Sequence, residues 1–359
     1  MKFCLSILTI VIILSCNSNN SSNNKSIKEN NKLEYQKSIE YKSAFETFNT
    51  GNNKLAYSKF IKLIEKHPND IELNYHIGFI AARSKNLPIA KKFLEKTIKL
   101  LPSKWEAYRD LASLYKSLYM YKDALIWVKK VFKYEKNDAT SNFIMGYLSN
   151  KLEKNDQAFI YYERAIKQTK TYMLAYIHYG EFYYSRKQYH KAEKIWKEGL
   201  EKRYSNTIAL RLGSLYSKTQ EYTKAINTYE EVLARYPQSL EPYFRIGKIY
   251  ESQKNYKKAI EYYKKALSTK KLYDSPKIAL ANIYIKQKKL NEALLLYKEL
   301  NDIYITKTTF YLYKQAQILK MQKKQKEYKK IIQMLKKSPL KESLDYLKNL
   351  RINIDWLII

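Results

Sequence analysis

Histidine and cysteine are the side chains of this chain that could most readily hold a metal or supply a catalytic base or nucleophile. The 359 residues include four histidines, His67, His76, His178 and His190, and two cysteines, Cys4 and Cys16. A metal site or a catalytic triad requires such groups to lie within a few ångströms of each other. The elements that position them therefore decide whether any of this chemistry is possible.

A small residue recurs along the chain every 33 or 34 residues. Twelve residues after each copy stands an alanine, and four residues further on stands a large apolar residue, for example Trp196 or Tyr263. The small residues are Ala44, Gly78, Ala112, Gly146, Gly180, Gly213, Gly247 and Ala281. Self-similarity at this period indicates a repeat architecture in which neighbouring repeats bury the core between them.

Each repeat carries two apolar series at helical spacing, separated by a polar turn such as "SQKN" at residues 252–255. Such a pattern predicts two antiparallel helices. A small residue where the helices cross lets their backbones approach, and the large residue beside it fills the remaining space. We therefore predict an all-α protein.

These residues resemble the tetratricopeptide repeat (TPR) family, whose pattern is an aromatic residue, then Leu-Gly, Tyr, Ala and a second aromatic at fixed spacing. The copy that matches it in order contains Tyr243, Ile246, Gly247, Tyr250, Ala259 and Tyr263, and Pro68, Pro102 and Pro237 fall where the family closes the second helix. The resemblance covers about eight repeats over residues 33–305, followed by a degenerate ninth repeat at 306–340, in which Tyr328 replaces the alanine. It implies a superhelical solenoid of antiparallel helix pairs.

The histidines lie far apart in such an arrangement. His76 and His178 share a repeat position but are three repeats apart, a separation on the order of 25 Å or more, which is too far for a shared metal. His67 and His190 are predicted to fall at turns between helices. The sequence shows no Ser-His-Asp or paired-carboxylate pattern, and no glycine is left for a phosphate loop. We therefore predict no enzymatic activity, no metal and no cofactor.

The chain begins with one basic residue and an apolar run that ends at Ser15 and Cys16. Since a membrane-spanning helix needs roughly 20 apolar residues, residues 1–15 are predicted to be a secretory signal peptide. Their end resembles a relaxed bacterial lipoprotein box of the spirochaete kind, with Leu14 where a small residue is commoner. The resemblance implies that Cys16 carries acyl chains such as palmitate. An ordinary cleaved signal and an uncleaved signal anchor are the alternatives.

Residues 16–32 are rich in Asn and Ser and cannot bury enough apolar surface to fold. They are predicted to form a flexible tether that spans roughly 20 to 25 Å and keeps the repeats near the membrane. Asn17 follows the cysteine, where some bacteria use an aspartate to retain lipoproteins in the inner membrane. This favours the outer membrane, at its periplasmic face or at the cell surface, over the inner membrane.

The net charge is +33, because 67 basic residues face 34 acidic ones. Such an excess suggests an anionic partner. Only nine of the basic residues are Arg, the residue best suited to bidentate phosphate recognition, and Lys, Asn, Ile and Tyr are enriched together, as in an AT-rich genome. We therefore predict no nucleic-acid partner, and we keep a charge-driven binder of an anionic envelope surface or polymer as the alternative function.

The C-terminal part contains a basic cluster from Lys320 to Ser343, with nine lysines and two glutamates. A capping repeat needs a polar outer face, so a solvated face is favoured over a docking patch for anionic lipid or cell-wall polymer. Residues 341–359 are predicted to form a capping helix and an apolar tail, Ile352 to Ile359. The tail either covers the last repeat or inserts into a partner.

In the TPR family, ligands bind a concave face lined by the first helix of each repeat, through places near the small residue. The candidates here are Tyr41, Phe45, Tyr75, Phe79, Arg109, Phe143, Tyr147, Ile177, Glu181, Arg211, Phe244 and Arg245. Aromatic residues dominate the first four repeats and arginines follow, which suits an extended or helical peptide with apolar anchors and some acidic residues. The rings could instead pack against the neighbouring helix.

Together these features predict a lipid-anchored scaffold or adaptor of the bacterial cell envelope that binds a protein or peptide ligand. The family resemblance leaves three roles open. They are assisting outer-membrane protein assembly, piloting a secretion or pilus component, and adapting cell-wall hydrolases.

Overall fold

The computed structural model describes residues 39–153, 155–269, 274–303, 308–337, 345–346 and 349–350. Within these ranges eighteen helices can be delimited and no strand is present, which confirms the all-α prediction. The helices are α1 (39–49), α2 (Asn53–Lys66), α3 (Ile71–Arg83), α4 (Leu87–Leu100), α5 (Trp105–Ser117), α6 (Tyr121–Val131), α7 (Ala139–Lys151), α8 (Asn155–Gln168), α9 (Met173–Ser185), α10 (Tyr189–Lys202), α11 (Asn206–Lys218), α12 (Tyr222–Arg235), α13 (Leu240–Ser252), α14 (Tyr256–Thr269), α15 (Asp274–Lys286), α16 (Leu290–Ile303), α17 (Thr308–Met321) and α18 (Gln325–Lys336).

The odd-numbered helices contain the recurring small residue and are the first helices of the repeats. The predicted signal peptide, Cys16, the tether and the apolar tail lie outside the described residues, so those predictions stay untested. Among the helices that the structure describes, none is long and apolar enough to span a membrane.

The chain divides into two compact units, of which the first contains α1–α7 and the second α8–α18. In the first unit, from α2 onward, each helix packs against the next along the chain, and α5 also packs against the other first helices α3 and α7. The second unit repeats this arrangement, with α11 in contact with both α9 and α13. The first helices within each unit therefore form a contiguous row.

The recurring small residues lie where two helices of a pair approach closely, as predicted. A Cβ added to Gly247 would lie 2.5 Å from Cε1 of Tyr263, and one added to Gly78 would lie 2.7 Å from Cγ of Leu94. The eight alanines that follow twelve residues later are fully buried, and so are the large residues four places further on. Each crossing therefore has room for one large side chain and no second one.

The turn inside each helix pair uses the same backbone conformation nine times. The second residue after each first helix has a positive φ, which is between 57° and 64° at the non-glycine positions and 83° at Gly51. The non-glycine members are Lys85, Tyr119, Glu153, Lys187, Gln220, Lys254, Lys288 and Lys323. After α13, the amide of Lys254 donates to the carbonyl of Glu251 and that of Asn255 to the carbonyl of Tyr250, both at 2.9 Å. This is the hydrogen-bond pattern of a Schellman motif, which satisfies the last carbonyls of the helix.

Proline marks the ends of three second helices. Pro68, Pro102 and Pro237 each stand directly after the residue that caps α2, α4 or α12, as predicted. The prediction that His190 lies in a turn is wrong, because His190 is an exposed residue in the first turn of α10. His67 is the C-cap of α2.

The ninth helix pair, α17 and α18, packs on the eighth through a shared apolar cluster that includes Tyr297 and Ile318. On its other side, Leu350 is buried with Leu312 and Leu335, and the Lys320 ammonium donates to the carbonyl of Leu350 at 3.2 Å. The lysines of the basic cluster in and just before α18 are mostly exposed. The C-terminal residue that the structure describes thus covers an apolar surface of the last pair.

Candidate binding surface

The candidate residues lie on the first helices, on a surface that we call the first-helix surface. It consists of the side chains at and around the small residue of each odd-numbered helix, and it is described separately for the two units. The contiguous row of α3, α5 and α7 carries it in the first unit, and that of α9, α11 and α13 in the second. What each side chain contacts decides whether it is available to a ligand.

Tyr41 and Phe45 on α1 pack against their own unit. The Tyr41 hydroxyl donates to the Asp70 carboxylate at 2.7 Å, and its ring stacks on Phe45 at 4.9 Å between centroids. Phe45 in turn meets the rings of Phe60 and His76 at 5.0 and 4.8 Å. Burial and the hydrogen bond to Asp70 raise the pKa of Tyr41 above its usual value. The two rings join α1 to α2 and α3, and both residues are half-buried.

Tyr75 and Arg109 take part in a polar network around a buried carboxylate. The Tyr75 hydroxyl donates to Asp110 at 2.9 Å, and Nε of Arg109 donates to the same group at 3.2 Å. The Arg109 guanidinium also lies 3.7 Å from Asp138, the N-cap of α7. Burial raises the pKa of Asp110, against the opposing effect of Arg109 and Tyr75. These side chains link α3, α5 and α7 and are largely committed to holding the row together.

Phe79 is the aromatic residue that borders an open cavity on this row. Between α3 and α5 lies a cavity of about 220 Å³. It is lined by Phe79, Ala82, Arg83, Lys85, Asp110, Ser113, Leu114 and Ser117. The Arg83 guanidinium lies 5.4 Å from the centre of the Phe79 ring and forms a basic rim beside the apolar wall. The sequence prediction used the places three before and one after the small residue, and it identified Phe79 and Ser113. It missed Arg83 and Ser117, which lie one helical turn further along the same helices. Including the residue four positions after each candidate would have found them.

Phe143 must be removed from the set of exposed candidates. Its side chain is only 2% exposed, so a ligand could not contact the ring. The Lys116 ammonium lies 4.7 Å from the centre of the Phe143 ring and 5.3 Å from that of Tyr147. Burial lowers the pKa of Lys116. Tyr147 keeps some exposure, but lysines at positions 116 and 151 both face its ring.

In the second unit the charged candidates form ion pairs with each other or with neighbours. Nε of Arg211 donates to Glu181 at 2.8 Å, and His178 lies 3.1 Å from the same carboxylate. Although burial alone would raise it, the hydrogen bonds from His178 and Arg211 hold the pKa of Glu181 below its usual value. Nε of Arg245 donates to Glu241 at 2.7 Å. An acidic ligand would have to compete with these glutamates.

The two apolar candidates of the second unit pack inside it. The Ile177 carbonyl accepts a hydrogen bond from Nε1 of Trp196 at 3.3 Å, and the Ile177 side chain is half-buried. The Phe244 ring lies 5.7 Å from that of Tyr263. Both residues therefore contribute to helix packing, while Arg211 and Arg245, at 50% and 44% side-chain exposure, remain the accessible members.

The histidines do not meet. His76 lies among the rings of Phe45, Phe48 and Phe60, and its Nδ1 is 2.8 Å from the carbonyl of Glu72. Burial lowers the pKa of His76. Within the part of the chain that the structure describes, no three histidine, cysteine or acidic side chains are grouped so that they could hold a metal.

Comparison with known proteins identifies the repeats. Three family models described as tetratricopeptide repeat match residues 139–172, 204–271 and 250–304. No curated protein sequence matches the chain. Among solved structures, the C-terminal part of a TPR repeat-containing protein from Cytophaga hutchinsonii is similar, with a TM-score of 0.55, 18% identity and coverage of 65% of this chain and 96% of that one.

Two further structures are similar at lower scores. PilF of Pseudomonas aeruginosa has a TM-score of 0.47 and 15% identity, with 56% of this chain and 92% of that chain covered. Yeast Tom70 has a TM-score of 0.49 and 17% identity, with 84% and 63% covered. Likenesses at these identities show a fold and no particular partner. The family models and the helix pairs together show that this chain contains tetratricopeptide repeats arranged in an all-helical TPR fold.

Proposed function

We propose that this protein is a lipid-anchored scaffold of the bacterial cell envelope that binds a partner protein through its first-helix surface. TPR folds are typical of protein–protein interaction scaffolds, and TPR proteins are generally not enzymes. The observation that carries the proposal is the cavity between α3 and α5, because it opens on the row of first helices at places where the family binds ligands. The envelope location rests on the sequence of residues 1–32 alone.

The cavity selects for one apolar side chain of a peptide. Phe79, Ala82 and Leu114 give it apolar walls, while Arg83 and Lys85 place positive charge at its edge. Asp110, the acidic residue of the lining, is buried and already accepts hydrogen bonds from Tyr75 and Arg109. A matching ligand therefore presents a leucine- or phenylalanine-sized anchor with an acidic residue beside it.

Site-specific crosslinking in intact cells would test this surface. A photocrosslinking amino acid at Ser113 should capture one defined partner, whereas the same group at the exposed Lys91 on the second helix α4 should not. Ser113→Arg, which fills the cavity without removing a packing contact, should then weaken binding of that purified partner by at least about tenfold. Equal capture from both positions, or unchanged affinity of the filled variant, would contradict the proposal.

The anchor is tested separately, because Cys16 lies outside the described residues. Cys16→Ser removes the thiol that would carry the acyl chains, and lipid burial is worth about 0.8 kcal/mol per methylene. The variant should therefore move from the detergent phase to the aqueous phase in a phase-partitioning assay. A variant that stays in the detergent phase would show that another segment anchors the protein.

A charge-driven binder of an anionic envelope polymer is the second candidate, favoured by the exposed lysines in and before α18. Salt separates the two. A complex held by surface charge should weaken steeply between low and physiological ionic strength, since the screening length falls from about 30 Å to about 8 Å. A complex held by an apolar anchor in the first-helix cavity should weaken little.

A further inference from the structure

The second unit contains a larger cavity, most of whose lining comes from the second helices α8 and α10. It has a volume of about 570 Å³, within the range of roughly 300 to 1,000 Å³ that is usual for small-molecule sites. We call it the lysine cleft. Its lining comes from α8, α9, α10 and the turn between α8 and α9, and it consists of Glu163, Ile166, Lys167, Lys170, Tyr179, Tyr183, Lys191, Lys194, Ile195, Glu198 and Lys202.

The charge of the lysine cleft is strongly positive. Five ammonium groups face two carboxylates, an excess of three charges. Glu163 pairs with Lys167 at 2.8 Å, and Glu198 accepts a hydrogen bond from the Tyr176 hydroxyl at 3.1 Å. The structure records no carboxylate partner for Lys170, Lys194 or Lys202 among the residues that it describes. Among the described residues, these three cations thus form no ion pair with the two carboxylates of the cavity.

The repeats themselves provide a control for the lysine-rich composition. The places of the five lysines can be counted from the recurring alanines of two neighbouring repeats, Ala158 and Ala192. Two lysines stand nine and twelve places after Ala158. The other three stand one place before, two places after and ten places after Ala192. At the corresponding places in the other six neighbouring pairs, at most two residues are lysine. After Ala225 and around Ala259, for example, the residues are Ala234, Pro237, Lys258, Glu261 and Thr269. A uniform bias toward lysine would not concentrate five of them at this one junction.

The floor of the lysine cleft suits an anion with an apolar or planar part. The Tyr179 and Tyr183 hydroxyls lie 3.1 Å apart, and the Lys191 ammonium lies 5.4 Å from the centre of the Tyr183 ring. Burial raises the pKa of Tyr179, which keeps its hydroxyl protonated and able to donate. Ile166 and Ile195 add apolar contact on the two flanking helices.

We propose that the lysine cleft between α8 and α10 binds a small phosphorylated ligand with two or three negative charges. Lysine binds phosphate as a compact point charge without fixed geometry, and several lysines around one cavity compensate several charges at once. The phosphate could belong to a soluble phosphate ester or to the headgroup of an anionic lipid. The volume and the tyrosine floor favour the soluble ester, since an organic group can then occupy the cavity beside the phosphate.

Calorimetric titration of the full chain tests the site, with pyrophosphate and phenyl phosphate as soluble probes. A second arm uses vesicles of phosphatidylcholine with and without phosphatidic acid. The test variant carries Lys170→Gln, Lys194→Gln and Lys202→Gln. The matched control carries Lys218→Gln, Lys257→Gln and Lys298→Gln, three exposed lysines of the same unit outside the cleft, so both variants lose the same charge. Circular dichroism checks that both keep the helix content of the parent.

The cleft variant should bind both soluble probes at least about tenfold more weakly than the control, because it loses three local cations while the global charge is equal. Equal weakening of both variants, or no binding of either soluble probe by the parent chain, would overturn the proposal. Binding of phosphatidic acid vesicles alone, with the same dependence on the cleft lysines, would overturn the soluble source and assign the phosphate to a lipid headgroup. If the triple variant loses helix content, the single change Lys194→Gln replaces it under the same criteria.

Discussion

At each helix crossing, one small and one large residue share a fixed volume. In the repeat of Ala112 the large residue is Val128. Gly180, in contrast, lies against the indole of Trp196, and Gly247 lies against the ring of Tyr263. Glycine thus stands opposite the indole of Trp196 and the rings of Tyr229 and Tyr263, although it also stands opposite Leu94, and Ala281 precedes Tyr297 at the same spacing. Because interiors are close-packed, the two side chains must change together if the crossing distance is to be kept.

Gly180→Ala should destabilise the protein by about 1 to 3 kcal/mol, because the new Cβ would overlap the Trp196 indole. Adding Trp196→Val reproduces the combination found at Ala112 and Val128 and relieves the overlap. The two changes should therefore be non-additive, with a coupling of roughly 0.5 to 3 kcal/mol in urea unfolding followed by circular dichroism. Simple additivity would mean that the backbone shifts enough to accommodate the methyl group.

Tyr263 also holds a charge, since its hydroxyl donates to Glu251 at 2.7 Å. Burial alone would raise the pKa of Glu251, but this hydrogen bond, with Lys248 at 3.5 Å and Lys286 at 3.4 Å, lowers it. A folded-state pKa below that of the unfolded chain gives stability that is present above the unfolded value. This stability is lost as the pH falls through the folded value.

Tyr263→Phe keeps the ring and removes the donor. The variant should lose about 1 to 3 kcal/mol at neutral pH, because a charged acceptor loses a hydrogen bond, and its unfolding free energy should fall less steeply in the acid range. Tyr250→Phe in the same repeat is the control, since that hydroxyl forms no recorded hydrogen bond with any residue that the structure describes. Parallel pH profiles of the two variants would argue against the assignment.

At the scale of the elements, the turn inside each pair places a residue in the left-handed region nine times, and eight of these residues carry a Cβ. The left-handed conformation costs a non-glycine residue roughly 1 to 2 kcal/mol. The chain accepts this cost because Schellman hydrogen bonds, recorded after seven of the first helices, close the helix. Asn255, Asn86 and Asn52 can then cap the next helix.

Lys254→Gly should therefore raise the unfolding free energy by up to about 1 kcal/mol, since glycine adopts positive φ without steric cost. Lys254 is exposed, with a φ of 61°, so its side chain contributes little packing. Lys254→Ala keeps the Cβ and should give no such gain. A glycine variant with a lower melting temperature than the alanine variant would show that flexibility of the unfolded chain outweighs the strain.

The period of the small residues was enough to predict where the helices pair, because the crossing constraint acts directly on residue size. The turn conformation could not be predicted, since Lys, Tyr, Glu and Gln occupy positions where only a glycine would have been a signal. The sequence predicted that the candidate residues lie on the first helices, but it did not predict which of their side chains are exposed. Phe143 is buried although Phe79 borders a cavity, and Arg211 pairs with Glu181 across neighbouring helices, which depends on rotamers that a single sequence does not specify.

At the scale of the whole chain, contacts within each unit join helices that are one or two places apart in sequence. Local contacts of this kind make stability a sum of repeat and interface terms. Charge, in contrast, acts over many residues, and 33 positive charges remain even if every acidic residue pairs with a basic one. Several of the ion pairs, such as Lys66–Glu40, Lys167–Glu163 and Lys265–Glu261, join two exposed side chains, and such pairs typically contribute less than about 1 kcal/mol each.

Self-repulsion of a chain with a net charge of +33 should make the folded state more stable as salt is added. Raising sodium chloride from about 0.01 M to about 0.15 M shortens the screening length from about 30 Å to about 8 Å, which weakens repulsion across repeats more than contacts within an ion pair. The melting temperature should therefore rise over this range. The variant Lys326→Gln, Lys329→Gln and Lys330→Gln removes three exposed lysines of α18 and lowers the net charge from +33 to +30. It should melt higher than the parent chain at low salt and gain less from added salt. A melting temperature that falls with salt in both proteins would show that attractive ion pairs outweigh the net repulsion.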